Sequence, residues 1–148
     1  MYKHILVSTD GSKLSLKAVK AAVKLAGCLG ARLTGVYVMP EYVPPIYGEA
    51  AMYIPEASPR NFKEAVEKEA KAALAAIAKD AAAAGMRCMT LKVINAQPWS
   101  AIINTARSRK CDLIVMASHG RRGLAGLLLG SETTKVLTHS KVPVLVCR

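Results

Sequence analysis

A chain of 148 residues, 52% hydrophobic, with 21 Lys and Arg against 10 Asp and Glu, fits a single domain over 1–148 with a full core and a net charge of +11. Its apolar runs are short and broken by Gly, Lys or Pro, which argues against a membrane span, and MYKHILVSTDG reaches Asp10 too early for a secretory leader, so a cytoplasmic protein is expected. Cys28, Cys88, Cys111 and Cys147 are too scattered for a zinc or redox motif and read as buried free thiols, and an aromatic content of 5% leaves few stacking platforms, so nucleic acid is set aside as a partner despite the charge.

The β-rich run HILVST, 4–9, reads as a first strand that ends at Asp10-Gly11-Ser12. Ser12 is a good N-cap for a helix whose Val19, Ala22, Val23, Ala26 and Leu29 follow the helical period, and Gly30 is placed to end it. Lys13, Lys17, Lys20 and Lys24 share one face of that helix and read as a solvated stripe. RLTGVYVM, 32–39, is a second strand. The stretch 40–59, rich in Pro and Tyr and without periodicity, is too long for an ordinary connection and reads as a functional or mobile loop.

An alanine-rich helix over 61–84 follows, with Asn61 and Glu64 in a capping-box pattern, Glu64–Lys68 and Glu67–Lys71 as i,i+4 pairs, and Gly85 at its end. MRCMTLKVI, 86–94, is a third strand, and Pro98 opens a helix that runs to Arg109. DLIVMA, 112–117, and VPVLVC, 142–147, are a fourth and a fifth strand, separated by a helix from Ser131 to His139 or Ser140.

Strands alternating with helices, several of them apolar throughout, predict an α/β fold: an open parallel sheet with helices on both faces. Pro143 cannot donate to a ladder, which puts the last strand at an edge, and an apolar edge reading VPVLV predicts a homodimer through Val142 to Cys147. Ligands of such sheets bind beyond the carboxyl ends of the strands, where the strand order reverses. If the first and fourth strands are neighbours, Asp10 is placed either to take a ribose hydroxyl or simply to form the turn with Gly11 and Ser12. Gly120 and Gly130 either let backbone amides approach an anion, with the Ser131 hydroxyl at a helix N-terminus, or merely make turns. No Lys follows these glycines, so a Walker loop is absent, as is a dinucleotide fingerprint after the first strand. Met116 occupies the first glycine position of a hydrolase elbow around Ser118, and Glu132 and His139 share one short helix, which disfavours serine hydrolysis.

The strand running into S-T-D-G-S, the A-Q-P-W-S-A-I-I stretch, D-L-I-V-M-A-S-H-G followed by L-L-L-G-S, and the closing V-P-V-L-V resemble the universal stress protein family over essentially the whole chain. Nucleotide-binding members of that family carry G-x-x-G, nine residues, then G-[S/T]; here the pattern is Ala117-x-x-Gly120, nine residues, then Gly130-Ser131. The resemblance implies an adenine nucleotide alpha hydrolase-like sheet in the order 3-2-1-4-5, dimerisation through the last strand, and an adenine nucleotide at the ends of strands one and four. Ser8, Thr9, Asp10 and Val38 would surround the adenosine, backed by Met116 and Ala117. Gly120, Gly130, Ser131 and Glu132 would meet the phosphates, and His119, Arg121 and Arg122 belong to the turn between. Arg121 and Arg122 are then expected to offset the Glu132 charge. The ligand expected is ATP, or AMP or ADP, with Mg²⁺ as its companion, acting as a regulatory ligand. No evident general base stands in the motif, so at most slow hydrolysis or autophosphorylation is expected. The alternative is a non-nucleotide interaction module that offers the Tyr/Pro loop and the lysine stripe to a protein partner.

Overall fold

The computed structural model describes residues 1–44, 58–121 and 129–148. In chain order the elements are β1 (His4–Ser8), α1 (Lys13–Leu29), β2 (Arg32–Met39), α2 (Pro59–Ala83), β3 (Cys88–Ile94), α3 (Pro98–Ser108), β4 (Leu113–Ala117), α4 (Ser131–His139) and β5 (Val144–Cys147). The strands form one parallel sheet in the order β3-β2-β1-β4-β5. This is the order expected, and Pro143 does lie beside an edge strand.

Because side chains alternate across a strand, each apolar strand serves two cores. Ile5, Val7, Leu33, Leu113 and Val115 pack against α1 and α2 on one face. Leu6, Val36, Ile114 and Met116 pack on the other, against Ile102, Ile103 and Ala106 of α3 and Val136 of α4. The first two crossovers carry the chain outward from β1 to β3, and the third returns it to the far side of β1, with its helix on the opposite face. The direction of winding therefore reverses between β1 and β4, whose register pairs Val7 with Val115.

Local chemistry accounts for the boundaries. Ser12 caps α1 by accepting from the Ser15 amide at 3.2 Å, and Gly30 ends it in the left-handed region at φ 62°. In α2 the cap is Ser58, which accepts from the Asn61 amide at 3.1 Å, so the expected Asn61–Glu64 capping box is not formed. A serine followed by Pro59, whose missing N–H costs nothing in the first turn, outcompetes a start three residues later. Nor do the expected pairs with Lys68 and Lys71 form. Glu64 pairs with Arg60 at 2.9 Å, and Glu67 reaches across to Lys92 of β3. Asp112 stands outside β4, its carboxylate accepting from the Lys3 and His4 amides at 2.7 and 2.9 Å.

Of the four cysteines only Cys111 is buried; Cys28 is exposed, and Cys88 and Cys147 are intermediate, which corrects the expectation of four buried thiols. Cys28 sits near the end of α1 and is exposed among the described residues. Burial, with the Asp112 charge adding to it, pushes the Cys111 thiol up to about 11. Among the described residues no helix is long and apolar enough to cross a membrane. The central part of the Tyr/Pro loop, 45–57, and the turn containing Arg122 and Gly123 lie outside the described residues.

Candidate functional site

The carboxyl ends of β1 and β4 bring two loops together. After β1, the Thr9 hydroxyl accepts from the Gly11 amide at 3.1 Å and shares a hydrogen bond with the Ser15 hydroxyl at 2.9 Å. Thr9 is buried, its side chain committed to the first turn of α1. Asp10 then accepts from the Ser12 amide at 3.0 Å through Oδ1 and from the Arg121 amide at 2.7 Å through Oδ2. Burial on its own would raise the Asp10 carboxyl; hydrogen bonds from Ser12, from the Arg121 amide and from Ser15 outweigh it and hold the group below its ordinary 3.8. Asp10 therefore stays ionised. Each of its oxygens keeps a second lone pair, so a ribose hydroxyl still has an acceptor there.

After β4 the chain is pinned from three sides. The Ser118 amide donates to the Cys147 carbonyl at 2.7 Å, the Ser118 carbonyl accepts from the Gly130 amide at 2.7 Å, and the Thr133 hydroxyl donates to the Ala117 carbonyl at 3.0 Å. His119 Nδ1 lies 3.2 Å from the Ser118 hydroxyl. The two glycines serve packing. A Cβ at Gly120 would lie 2.5 Å from Asp10 Oδ2, and one at Gly130 would lie 3.2 Å from the Cα of His119. Neither residue has positive φ, and neither does Ala117, so the methyl at 117 causes no backbone strain.

Anion chemistry at this point comes from α4. Its N-cap is Gly130, with no side-chain cap, and the Gly130 amide is already engaged by Ser118. The amides of Ser131 and Glu132 in the first turn have no acceptor among the described residues, and neither has the Ser131 hydroxyl. Unpaired first-turn amides at the positive end of a helix dipole are what a phosphate requires. The residues present thus suit a phosphate, through the amides after Gly130 and not through Gly130 itself.

Two of the expected contacts fall elsewhere. Glu132 directs its carboxylate to α3: Oε2 accepts from the Trp99 amide at 2.8 Å, capping a helix with no side-chain cap of its own, and Oε1 is 3.5 Å from Lys135 Nζ. The Arg121 guanidinium lies on the α2 side, where Nη1 donates to Glu69 Oε2 at 2.7 Å and Nη2 comes within 3.0 Å of a Cβ position on Gly11. The Glu69 hydrogen bond raises the Arg121 pKa further above its already high value. Tyr37 adds a long hydrogen bond to the same carboxylate, 3.5 Å.

The universal stress protein family model matches residues 1–148. This chain belongs to that family. Over its full length it is 35% identical to the universal stress protein YxiE of Bacillus subtilis, all of which is covered. It is 34% identical to a universal stress protein of Methanocaldococcus jannaschii, 83% of which is covered. Among solved structures it is similar to MJ0577 of Methanocaldococcus jannaschii, with a TM-score of 0.79 and 28% identity over 99% of this chain and 96% of that one. A universal stress protein solved in complex with cAMP has a TM-score of 0.72 at 29% identity, over 99% of this chain and 97% of that one.

Seen as a family member, the chain brings Ser8, Asp10, Val38, Met116, Ala117, His119, Gly120, Gly130 and Ser131 to the ends of β1, β2 and β4 and the start of α4. Val38 and Met116 belong to the α3 side of the sheet together with Trp99, and Ala117 to the α1 side. Thr9, Arg121 and Glu132 are present but their side chains are engaged with α1, α2 and α3 respectively. Sequence reasoning weighed Ser118 only as a nucleophile, and it missed Thr133 and Glu69. Ser118 lies inside the motif and Thr133 two residues beyond its end, and their burial to 2% exposure marks them as structural hydroxyls. Glu69 is 52 positions from Arg121, with no local pattern to reveal it.

Proposed function

We propose that this universal stress protein binds an adenine nucleotide, ATP foremost, as a regulatory ligand in the cytoplasm. The observation that carries the reading is the start of α4: first-turn amides and a serine hydroxyl without acceptors among the described residues, at the reversal point of a parallel sheet. A similar protein, solved with cAMP, supports the adenine class. Ser131 and the α4 amides hold phosphate, Asp10 takes a ribose hydroxyl, and Val38 and Met116 offer apolar surface to the base.

Mg²⁺ enters with the phosphates, whose charge it neutralises; among the described residues no group of three or more His, Cys, Asp or Glu is placed to hold a metal ion. The titratable side chains at the strand ends are already engaged, Asp10 by Ser12 and Arg121, Glu132 by Trp99, His119 by Ser118. That favours a held ligand over a turned-over one. Calorimetric titration of nucleotide-stripped protein with Mg-ATP, AMP and cAMP tests the reading. Saturable heat for at least one of them is expected; no heat and no thermal shift at millimolar nucleotide overturns it.

The same reading includes a homodimer through β5, an edge strand on which Leu145 is 40% exposed beside Pro143. Leu145→Lys should move the mass by light scattering from dimer to monomer. A native chain already monomeric at tens of micromolar would remove the dimer. The alternative, a protein-interaction module without nucleotide, draws on the Gly130 amide already being engaged. It predicts that Ser131→Ala and the titration above are both without effect.

A further inference from the structure

Tyr37, Glu69 and Arg121 meet on the α2 side of the cleft, and nucleotide binding as described above uses none of their side chains. Arg121 leaves the strand-end loop directly after Gly120, with its amide fixed to Asp10 at 2.7 Å. Only the side chain is therefore left to choose a direction, and it turns to Glu69 on α2 at 2.7 Å, with Tyr37 supporting the same carboxylate oxygen. The phosphate-binding start of α4 lies on the other arm of the loop, packed against Ser118 and His119.

We propose that Glu69 sets the affinity and the phosphate-chain selectivity of the nucleotide site by competing with the ligand for the Arg121 guanidinium. The inference rests on the nucleotide reading. The arginine side chain has the length and rotatable bonds to leave one anion for another while its backbone stays anchored by Asp10. Both side chains of the pair are about half exposed, at 45% and 48%, so the pair is weak and exchangeable. A polyphosphate offers a guanidinium more charge and more acceptor oxygens than a monophosphate, so the competition falls mainly on ATP. Glu69 is in this sense a positioning residue: it acts through Arg121 and touches no ligand.

The test is calorimetry on the nucleotide-stripped full chain with Mg-ATP and with AMP, for wild type, Glu69→Gln, Arg121→Gln and the double variant, each verified as folded by thermal unfolding. Glu69→Gln should bind Mg-ATP about three- to fivefold tighter, the reach of one exposed ion pair, and AMP within about twofold of wild type. The gain should shrink at high salt and be absent in the Arg121→Gln background. A merely structural Glu69 would show neither the ATP-over-AMP preference nor the dependence on Arg121. If wild type binds ATP and Glu69→Gln binds it no tighter, or gains equally for AMP, or gains without Arg121, the competition is refuted and the nucleotide reading stands. If neither folded protein binds either nucleotide, the nucleotide reading falls and this inference with it.

Discussion

Gly120→Ala tests how the two strand-end loops are joined. The added Cβ would lie 2.5 Å from Asp10 Oδ2, and real Cβ contacts do not fall below 3.0 Å, so the carboxylate has to retreat by at least about 0.5 Å. Such a move stretches or breaks the 2.7 Å bond from the Arg121 amide, the one described hydrogen bond joining Asp10 to the β4 loop. A hydrogen bond to a charged group is worth about 1.5–3 kcal/mol, and because Asp10 is only partly buried water recovers some of it, leaving about 1–2 kcal/mol. For a domain of this size that is about 3–6 °C in Tm. Urea unfolding at pH 7, followed by Trp99 fluorescence, measures it. The cycle with Asp10→Ala isolates the cause: with no carboxylate to strike, Gly120→Ala should cost less than about 0.5 kcal/mol. The pH dependence has a defined sign. Asp10 is held below 3.8 in the fold, so its contribution is present above that pH and is lost as pH falls through the lowered value. The gap between wild type and Gly120→Ala should therefore narrow below about pH 3.8. An equal cost with and without Asp10, or a cost under about 0.5 kcal/mol in the wild-type background, would refute the reasoning.

Other consequences are checked more simply. His4 is buried, with Nε2 2.8 Å from the Thr34 hydroxyl and Nδ1 without a hydrogen bond among the described residues, and burial, followed by the Arg32 charge, holds its pKa below 6.5. The unfolded chain therefore binds the proton first, so stability is full above about pH 6.5 and declines below it; His4→Gln should flatten the Tm profile between about pH 7 and 5. Glu132→Ala should cost about 1–2 kcal/mol in urea unfolding by uncapping α3, and Glu132→Gln, which keeps an acceptor for Trp99, less than half of that; equal costs would show that charge and not the cap matters. With a disulfide thiol reagent at pH 8, Cys28 should react in the native protein and Cys111 only on unfolding, as read by peptide mass mapping.

The fold was legible because its signals are local and repeated. Ser12 and Gly30 bracket α1, RLTGVYVM is β2 to the residue, and Pro143 marks the edge strand. Boundaries slipped where two local signals competed, as with Ser58-Pro59 against Asn61-Glu64. The meeting of the strand-end loops was legible too, since Gly120 and the Arg121 amide do come up against Asp10. The roles of side chains were less so. Glu132 looked like an acid facing phosphate because Trp99 is 33 residues away, and the uncapped start of α3 that attracts it is a tertiary fact. Arg121 looked like a phosphate ligand because nothing near it in sequence names Glu69. Gly120 and Gly130 looked like open cradles, whereas both are crowded by the opposite loop.

These displacements have a common electrostatic result. Asp10, Glu69, Glu132 and Arg121 surround the reversal point, and each is satisfied by a protein partner: two amides for Asp10, the guanidinium for Glu69, an amide for Glu132. Of the three carboxylates, Glu69 is paired closely with a cation, and that pairing occupies the Arg121 guanidinium; Asp10 is held by neutral amides, Glu132 by the Trp99 amide and, at 3.5 Å, by Lys135, and both keep their charge. What is left to attract an arriving anion is the set of fixed dipoles at the start of α4. Turning Glu132 toward α3 is central to this arrangement. An ionised group about 6 Å from a phosphate would cost about 2–3 kcal/mol at an effective dielectric near 20, comparable to the whole benefit of a helix N-terminus. By capping the neighbouring helix the same carboxylate is committed to the Trp99 amide and stabilises α3. A site built from dipoles and not from net charge should show only a shallow salt dependence in the wild-type protein, even though the chain carries +11.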